Sequence, residues 1–350
     1  MLTIGVDAHK ELLVAVGVDQ DGTELEGWTG TNGATDWKAL AAWARSLSAE
    51  RVWGIEGSGN YGRGLAQYLV QHQELVYEIN PRLTAAVRKR NRQPGKSDRR
   101  DALAIARAVR QEGNRLPRVY PDDVTAVVAL LTAEREDALA EATRLRNQLH
   151  QVLGQLDPDY QQSWPSLRDL ASLDELVNDP PAAETELAKA QVAMVCRVAS
   201  RLALLEGQIA ELAGEIEAQA TTHYAGLTTL CGVGLLTAGM LAGLLGPAER
   251  FASDAHLAAY AGVAPLEASS AGVLRHRLNR TGNRQLNMLV HRIALTQARC
   301  SSDAQTYLAR RQTEGKSWRE AIRALKRFII RRIWKRWHEI GVAAASGASV

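Results

Sequence analysis

Three short strand-like runs in close succession, the first two apolar, constrain the fold of this chain more than any other feature. Leu2-Thr3-Ile4-Gly5-Val6-Asp7 is apolar and closes on an acid. Leu12 to Val18 follows, rich in valine and bounded by Asp19-Gln20-Asp21-Gly22, and Glu24 to Thr31 completes an antiparallel meander. Helical spacing then takes over at Trp37, Leu40, Ala41 and Ala44. Arg51-Val52-Trp53-Gly54-Ile55-Glu56 reads as a fourth strand, again ending in an acid, with Gly57-Ser58-Gly59-Asn60 as its loop. Leu65 and Leu69 mark a second helix, Leu75 to Ile79 a fifth strand, and Pro81 starts a helix reaching about Arg92. Strands first, then helix and strand in alternation, is the order of a ribonuclease-H-like α/β domain.

The next stretch, Gly95-Lys96-Ser97-Asp98-Arg99-Arg100-Asp101-Ala102, carries the chemistry. Pro94 and Gly95 break the chain, and Ser97 caps a helix that continues through Ile105, Ala106 and Val109. Asp98 and Asp101 stand at i and i+3 on one face, so their carboxylates repel unless a cation lies between them. Alone, each acid has an ordinary explanation. Asp98 and Asp101 suit a helix N-terminus, Asp7 a strand-end turn and Glu56 a solvated loop. In this fold, however, the first strand is central and the strand bearing Glu56 lies beside it. Asp7, Glu56, Asp98 and Asp101 then converge into a cage for hard divalent ions, Mg²⁺ by preference. Two ions about 3.5–4 Å apart would activate a nucleophile and stabilise a leaving oxygen at phosphate.

The rest of the chain is helical. From about Asp122, Val128, Ala142, Leu149 and Leu156 form one seven-residue series and Leu131, Ala138, Leu145 and Val152 another, with Arg135 interrupting the first. After Asp157-Pro158 and an acidic, proline-rich loop, Val195, Leu202, Ile209 and Ile216 interleave with Val198, Leu205 and Leu212. This seam fits an antiparallel hairpin, a coiled-coil dimer element or an ordinary helical core. At Leu230-Cys231-Gly232-Val233-Gly234 a glycine turn precedes another helix. It fits half of a helix-hairpin-helix motif gripping phosphate, or glycines that permit close packing. Past Pro265 come Ser269 and Ser270, and then Arg275, Arg277 and Arg280 before Gly282-Asn283. Taken alone, that is a polar loop.

The tail is basic: eleven Arg and Lys between Arg310 and His338 face only Glu314 and Glu320. Ile322, Leu325, Ile329, Ile333 and Trp337 run down one helical face. The other is a cationic rail including Lys326, Arg327, Arg331, Arg332 and Lys335, suited to phosphate backbones. The overall charge is only +3, so distribution rather than total points to nucleic acid. Cys196, Cys231 and Cys300 form no CxxC pair, which argues against a disulfide framework or zinc site and fits a reducing cytoplasm. No apolar run reaches membrane-spanning length.

Gly5-Val6-Asp7-Ala8-His9-Lys10, Gly54-Ile55-Glu56 and Lys96-Ser97-Asp98-xx-Asp101-Ala102 together resemble the DEDD transposases of the insertion-sequence one-ten family. That family includes Piv-type DNA invertases and recombinases guided by a bridge RNA. The resemblance extends to the C-terminal part, where the family carries Gly-x-x-Pro, a serine five residues after the proline, and a Gly-Asn pair. Pro265, Ser270 and Gly282-Asn283 fit; Ala271 departs by separating Ser270 from Gly272, and Ser269 is adjacent.

The resemblance implies a RuvC-like DEDD domain over 1–120, a helical spacer over 121–222 and a transposase domain over 223–350. The implied activity is cleavage and rejoining of DNA to move an insertion sequence. Asp7, Glu56, Asp98 and Asp101 would bind Mg²⁺, and Ser270 would hold DNA covalently. Arg275, Arg277, Arg280 and Asn283 would bind nucleic acid along with the rail. Donor and target DNA, a guide RNA and further copies of the chain, as a dimer or tetramer, are the expected partners. A metal-dependent junction endonuclease is the alternative.

Overall fold

Apolar residues on both faces of β1 (Leu2–Ala8) make it the buried centre of a five-stranded sheet. The order is β3-β2-β1-β4-β5, with β2 at Leu12–Val18, β3 at Glu24–Thr31, β4 at Arg51–Glu56 and β5 at Leu75–Ile79. The first three strands are antiparallel, while β4 and β5 run parallel to β1. The structure is a computed structural model and describes residues 1–346 except 82, 85–96, 165, 265, 268–275 and 278–281. Most of the helix expected from Pro81 to Arg92 therefore lies outside the described residues.

Strand alternation splits the core. Ile4 and Val6 face α1 (Ala34–Leu47) and α2 (Arg63–Gln71), packing with Leu40, Ala44, Leu65 and Leu69. On the other face lie Gly5 and Asp7, Val14 and Val16, covered by α3 (Asp98–Glu112) through Ala102 and Ala106. Ser97 caps α3 by accepting from the Arg100 N–H, as its residue type predicts. Gly5 is the tightest point. A Cβ there would stand 2.1 Å from the Ala102 carbonyl oxygen and 2.3 Å from the Ala106 nitrogen, so helix backbone rests directly on strand backbone.

The described chain divides into two compact units. Residues 124–229 and 233–244 form a helical one. Its long helices are α4 (Val124–Leu156) and α6 (Glu186–His223), with the short α5 (Leu170–Asn178) packed on α6. Gln155–Gln191, Glu141–Arg201 and Glu134–Gln208 contacts pair α4 and α6 antiparallel. The seam is Ala142, Leu145 and Leu149 against Val195, Val198 and Leu202, so the repeat is satisfied as a hairpin within one chain. In α7 (Leu235–Leu245), Gly239 abuts Ile216 and Gly243 abuts the α4 backbone at Ala129.

Residues 1–123, 230–232 and 245–350 form the other unit, so the sheet and the C-terminal helices share it. These helices are α8 (Asp254–Tyr260), α9 (Arg284–Cys300), α10 (Ser302–Thr313) and α11 (Trp318–Ser346). The expected apolar face of α11 is buried at Ile322, Leu325, Ile329, Ile333 and Trp337. Trp334 and Trp337 donate their indole N–H groups to the Phe251 and Gly246 carbonyls, anchoring the C-terminal half of the helix. Cys231 and Cys300, distant in sequence, are free thiols with sulfurs 3.5 Å apart.

Lys326 is buried as well, its ammonium donating to Asn287 Oδ1 at 2.6 Å. Burial, reinforced by Arg323, lowers its pKa to about 8. The unfolded chain then holds more protons than the folded one from about pH 8 to about pH 10.4, so this lysine makes stability rise with pH across that window. Lys326→Met removes the titration. Denaturant unfolding near pH 7.5 and near pH 9.5 should show the parent gaining on the variant at the higher pH. A gap independent of pH would count against a buried ammonium. Gly5→Ala should cost about 3 kcal/mol or more, because helix backbone must shift. Gly59→Ala, where a Cβ meets nothing within 4 Å, should stay within about 0.5 kcal/mol. Similar unfolding midpoints for the two variants would refute the close approach.

Candidate active site

Register places the first two acids side by side. β1 and β4 pair in parallel with Gly5 opposite Gly54 and Asp7 opposite Glu56. Because strand side chains alternate, each acid shares the face of the glycine two residues before it. Both glycines lie under α3: the Cβ missing from Gly54 would meet Val109 at 2.2 Å and Ile105 at 3.3 Å. Asp98 and Asp101, in the first turn of α3, therefore come to the strand ends where Asp7 sits.

The four acids differ in surroundings. Asp7 and Asp101 are buried, 8% and 5% exposed, whereas the Asp98 side chain is 42% exposed. Glu56 Oε2 accepts from the Thr84 hydroxyl at 2.8 Å, and that hydroxyl also reaches the Pro81 carbonyl at 2.9 Å. Burial pushes the Asp7 carboxyl up from its usual value; His9 opposes this, and the charges of Asp101 and Asp98 add to it. A buried carboxyl crowded by two more acids is a site that a divalent cation relieves. His9, which lies in the Gly5-to-Lys10 motif but is not among the expected ligands, joins them. Its Nε2 stands 3.3 Å from Asp7 Oδ2 and 3.6 Å from Asp98 Oδ1. Asp7, His9 and Asp98 form the group of ligand atoms among the described residues that can share one ion, all within 4.8 Å of one another. The available signal was spacing: His9 follows Asp7 by two.

The C-terminal candidates fall into three sets. Ser269, Ser270, Arg275 and Arg280 lie outside the described residues. Leu266–Glu267 and His276–Arg277 form a short antiparallel ladder that brackets residues 268–275 in sequence, with Arg277 paired to Leu266. Asn283 caps α9: its Oδ1 accepts from the Leu286 N–H, and its Nδ2 donates to the Tyr260 hydroxyl at 3.1 Å. Beside it, a Cβ on Gly282 would stand 2.2 Å from the Gly262 nitrogen. Gly262 and Gly282 thus touch backbone to backbone at the two ends of the intervening segment.

The cationic rail is partly committed elsewhere. Lys326 points inward to Asn287, and Arg327 and Arg331 both hold Asp254, at 2.7 and 3.2 Å. Arg311 and Arg336 pair with Glu314 and Glu339. Lys316, Arg319, Arg332 and Lys335 are exposed. They are the rail residues best placed to meet a partner.

Two family models match the chain. Residues 4–158 match one described as a DEDD transposase, and residues 224–309 match the transposase family of IS116, IS110 and IS902. The chain is 24% identical to the uncharacterized 44.8 kDa protein of insertion element IS116 from Streptomyces clavuligerus, covering 95% of this chain and 93% of that one. It is 26% identical to the uncharacterized 42 kDa protein of IS900 from Mycobacterium paratuberculosis, over 94% of each. A transposase for IS1328 from Yersinia enterocolitica is 26% identical over 59% of each chain. No helix among the described residues is long and apolar enough to cross a membrane. The two models lie in the order expected of one polypeptide, the first spanning all four acids and the second Ser270 and the Gly282-Asn283 pair, and the chain belongs to the IS116/IS110/IS902 family of DEDD transposases, enzymes that act on DNA.

Proposed function

We propose that this transposase cuts and rejoins DNA through a composite site made of the acid cage and the segment carrying Ser270. The observation that carries the reading is the meeting of Asp7, Asp98 and Asp101 at the ends of β1 and α3. The sheet order β3-β2-β1-β4-β5 supports a ribonuclease-H-like domain. We take the chain as three functional parts, 1–120, 121–222 and 223–350, the middle one a spacer.

Asp7, Asp98, Asp101 and Glu56 would hold Mg²⁺, as a two-ion site. When bound, the metal supplies charge neutralisation at phosphate and lowers the pKa of a coordinated hydroxyl. The chain's own work is positioning. Ser270 Oγ loses its proton and forms a bond to phosphorus as one phosphodiester P–O bond breaks, and the departing sugar oxygen takes up a proton. Attack by a sugar hydroxyl of the second strand reverses the step and frees the serine. Arg275, Arg277 and Arg280 would stabilise charge on the phosphate. Ser270 is preferred over Ser269 for its spacing from Pro265. A guide RNA would supply sequence specificity by pairing, leaving the protein to read backbone and shape. The chain is expected to act as a dimer or tetramer.

Labelled DNA spanning an element end, incubated with guide RNA and Mg²⁺ and run on denaturing gels, tests the chemistry. The parent should form a protein–DNA adduct. Ser270→Ala and Asp101→Ala should each reduce it by on the order of 10³-fold or more, while Ser269→Ala is milder. An adduct lost with Ser269→Ala and kept with Ser270→Ala moves the nucleophile by one residue. Cleavage with no adduct in the parent removes the serine mechanism.

Nucleic-acid contact is assigned to the exposed rail. Arg332→Glu with Lys335→Glu should weaken binding whatever the sequence and flatten the log–log salt dependence by about 0.7–0.9 per lost phosphate contact. Reversing Arg327 should instead destabilise the fold, by breaking its pair with Asp254. An unchanged salt slope in the first variant would mean that this face does not meet phosphate.

A further inference from the structure

His9 sits on a pinned turn. Its backbone N–H donates to the Leu12 carbonyl at 2.9 Å, and its carbonyl accepts from Asn32 Nδ2 at 2.8 Å. The outer part of the side chain is open, 44% exposed, yet Nε2 itself is shielded from solvent and completes no hydrogen bond. That nitrogen faces Asp7 Oδ2 at 3.3 Å and Asp98 Oδ1 at 3.6 Å. Two donors at right angles about 2.1 Å from one octahedral ion are about 3.0 Å apart, so these separations need only small closure to share a cation.

We propose that His9 is a nitrogen ligand to the divalent ion held by Asp7 and Asp98, and that it makes the site favour Mn²⁺ over Mg²⁺. The proposal rests on the metal-cage reading above and adds a claim of its own, the identity of one donor. Magnesium is a hard ion that dehydrates reluctantly and takes oxygen donors. First-row transition ions gain more from an imidazole nitrogen, so a His among carboxylates shifts preference toward them. Four carboxylates alone give no such discrimination. Asp7 and Asp98 supply the charge, and His9 supplies the selectivity.

The test uses the full-length chain with Mn²⁺ alone as probe. Bound Mn²⁺ is counted by loss of the free aquo-ion signal in electron paramagnetic resonance, and Mg²⁺ competition gives the preference. Pulsed measurements on the bound ion report directly whether a ¹⁴N nucleus is coordinated. The parent should bind Mn²⁺ at least about tenfold more tightly than Mg²⁺ and show ¹⁴N modulation. His9→Gln, which keeps an oxygen donor, should lose the modulation and about tenfold in Mn²⁺ affinity, with Mg²⁺ affinity nearly unchanged. Bound Mn²⁺ without ¹⁴N modulation, or modulation and preference that survive His9→Gln, overturns the role of His9 and leaves the cage standing. Failure of the parent to bind either ion, or binding untouched by Asp7→Asn and Asp98→Asn, overturns the cage itself.

Discussion

Everything at the acid cluster depends on how closely α3 can lie on the sheet. An ordinary helix packs on a sheet through a layer of side chains, about 10 Å from backbone to backbone. Here that layer is removed at two paired positions, Gly5 on β1 and Gly54 on β4, and Ala102 and Ala106 are the facing residues over Gly5. The consequence appears two residues further along each strand. Asp7 and Glu56 are the next side chains on the same face, and the first turn of α3, with Asp98 and Asp101, is the part of the helix that reaches them. Carboxylates are short side chains. With an extra side-chain layer between the elements, the acids on the helix would not approach Asp7 closely enough to perturb its ionisation.

That closeness is costly without a cation. Asp7 is buried among like charges, and His9 is the neighbour that opposes their effect. A fold selected for stability alone would not gather acids in this way, whereas a site that must bind a divalent ion and phosphate together gains from it. The support beneath is correspondingly firm: the buried Trp53 indole donates to Glu74, which also pairs with Arg51, so polar contacts fix the strand that ends at Glu56.

β1, β2, β4 and β5 were legible in the sequence because each is a short apolar run closed by polar residues, and the mostly polar β3 because it follows β2 across the Asp19–Gly22 turn; β2 to β5 match their expected limits residue for residue. The α3 cap was legible for a similarly local reason: Ser97 follows a helix-breaking pair. What stayed hidden depends on contacts between distant segments. Cys231 and Cys300 meet only because α9 returns past the 230–232 turn. The tail shows the same limit: periodicity separated its buried and exposed faces, yet Lys326 turns inward because Asn287 offers an acceptor there, and Arg327 and Arg331 are drawn to Asp254. His9 was missed because a histidine beside a strand end has no local pattern that marks it as facing two acids.

The glycines of the C-terminal motif have a physical role of the same kind as those under α3. Gly262 and Gly282 come together with no room for a side chain, which closes the ends of the segment between them. Around that neck, Asn287 holds the Ala261 carbonyl at 2.7 Å while accepting from Lys326, and Asn283 meets both the carbonyl and the hydroxyl of Tyr260. Tyr260 in turn lies against Arg250, whose guanidinium is 5.0 Å from the ring centroid, 3.3 Å from the hydroxyl and 2.5 Å from Glu78 on β5. A continuous run of hydrogen bonds and one ion pair therefore connects the edge strand of the sheet to the neck of the segment that carries Ser270. A serine mechanism shared between two modules needs its hydroxyl to be presented from a fixed base, since small displacements of a reacting group are expensive in rate. The described residues on either side of the segment, Gly262, Gly282 and Asn283, form a base of that kind.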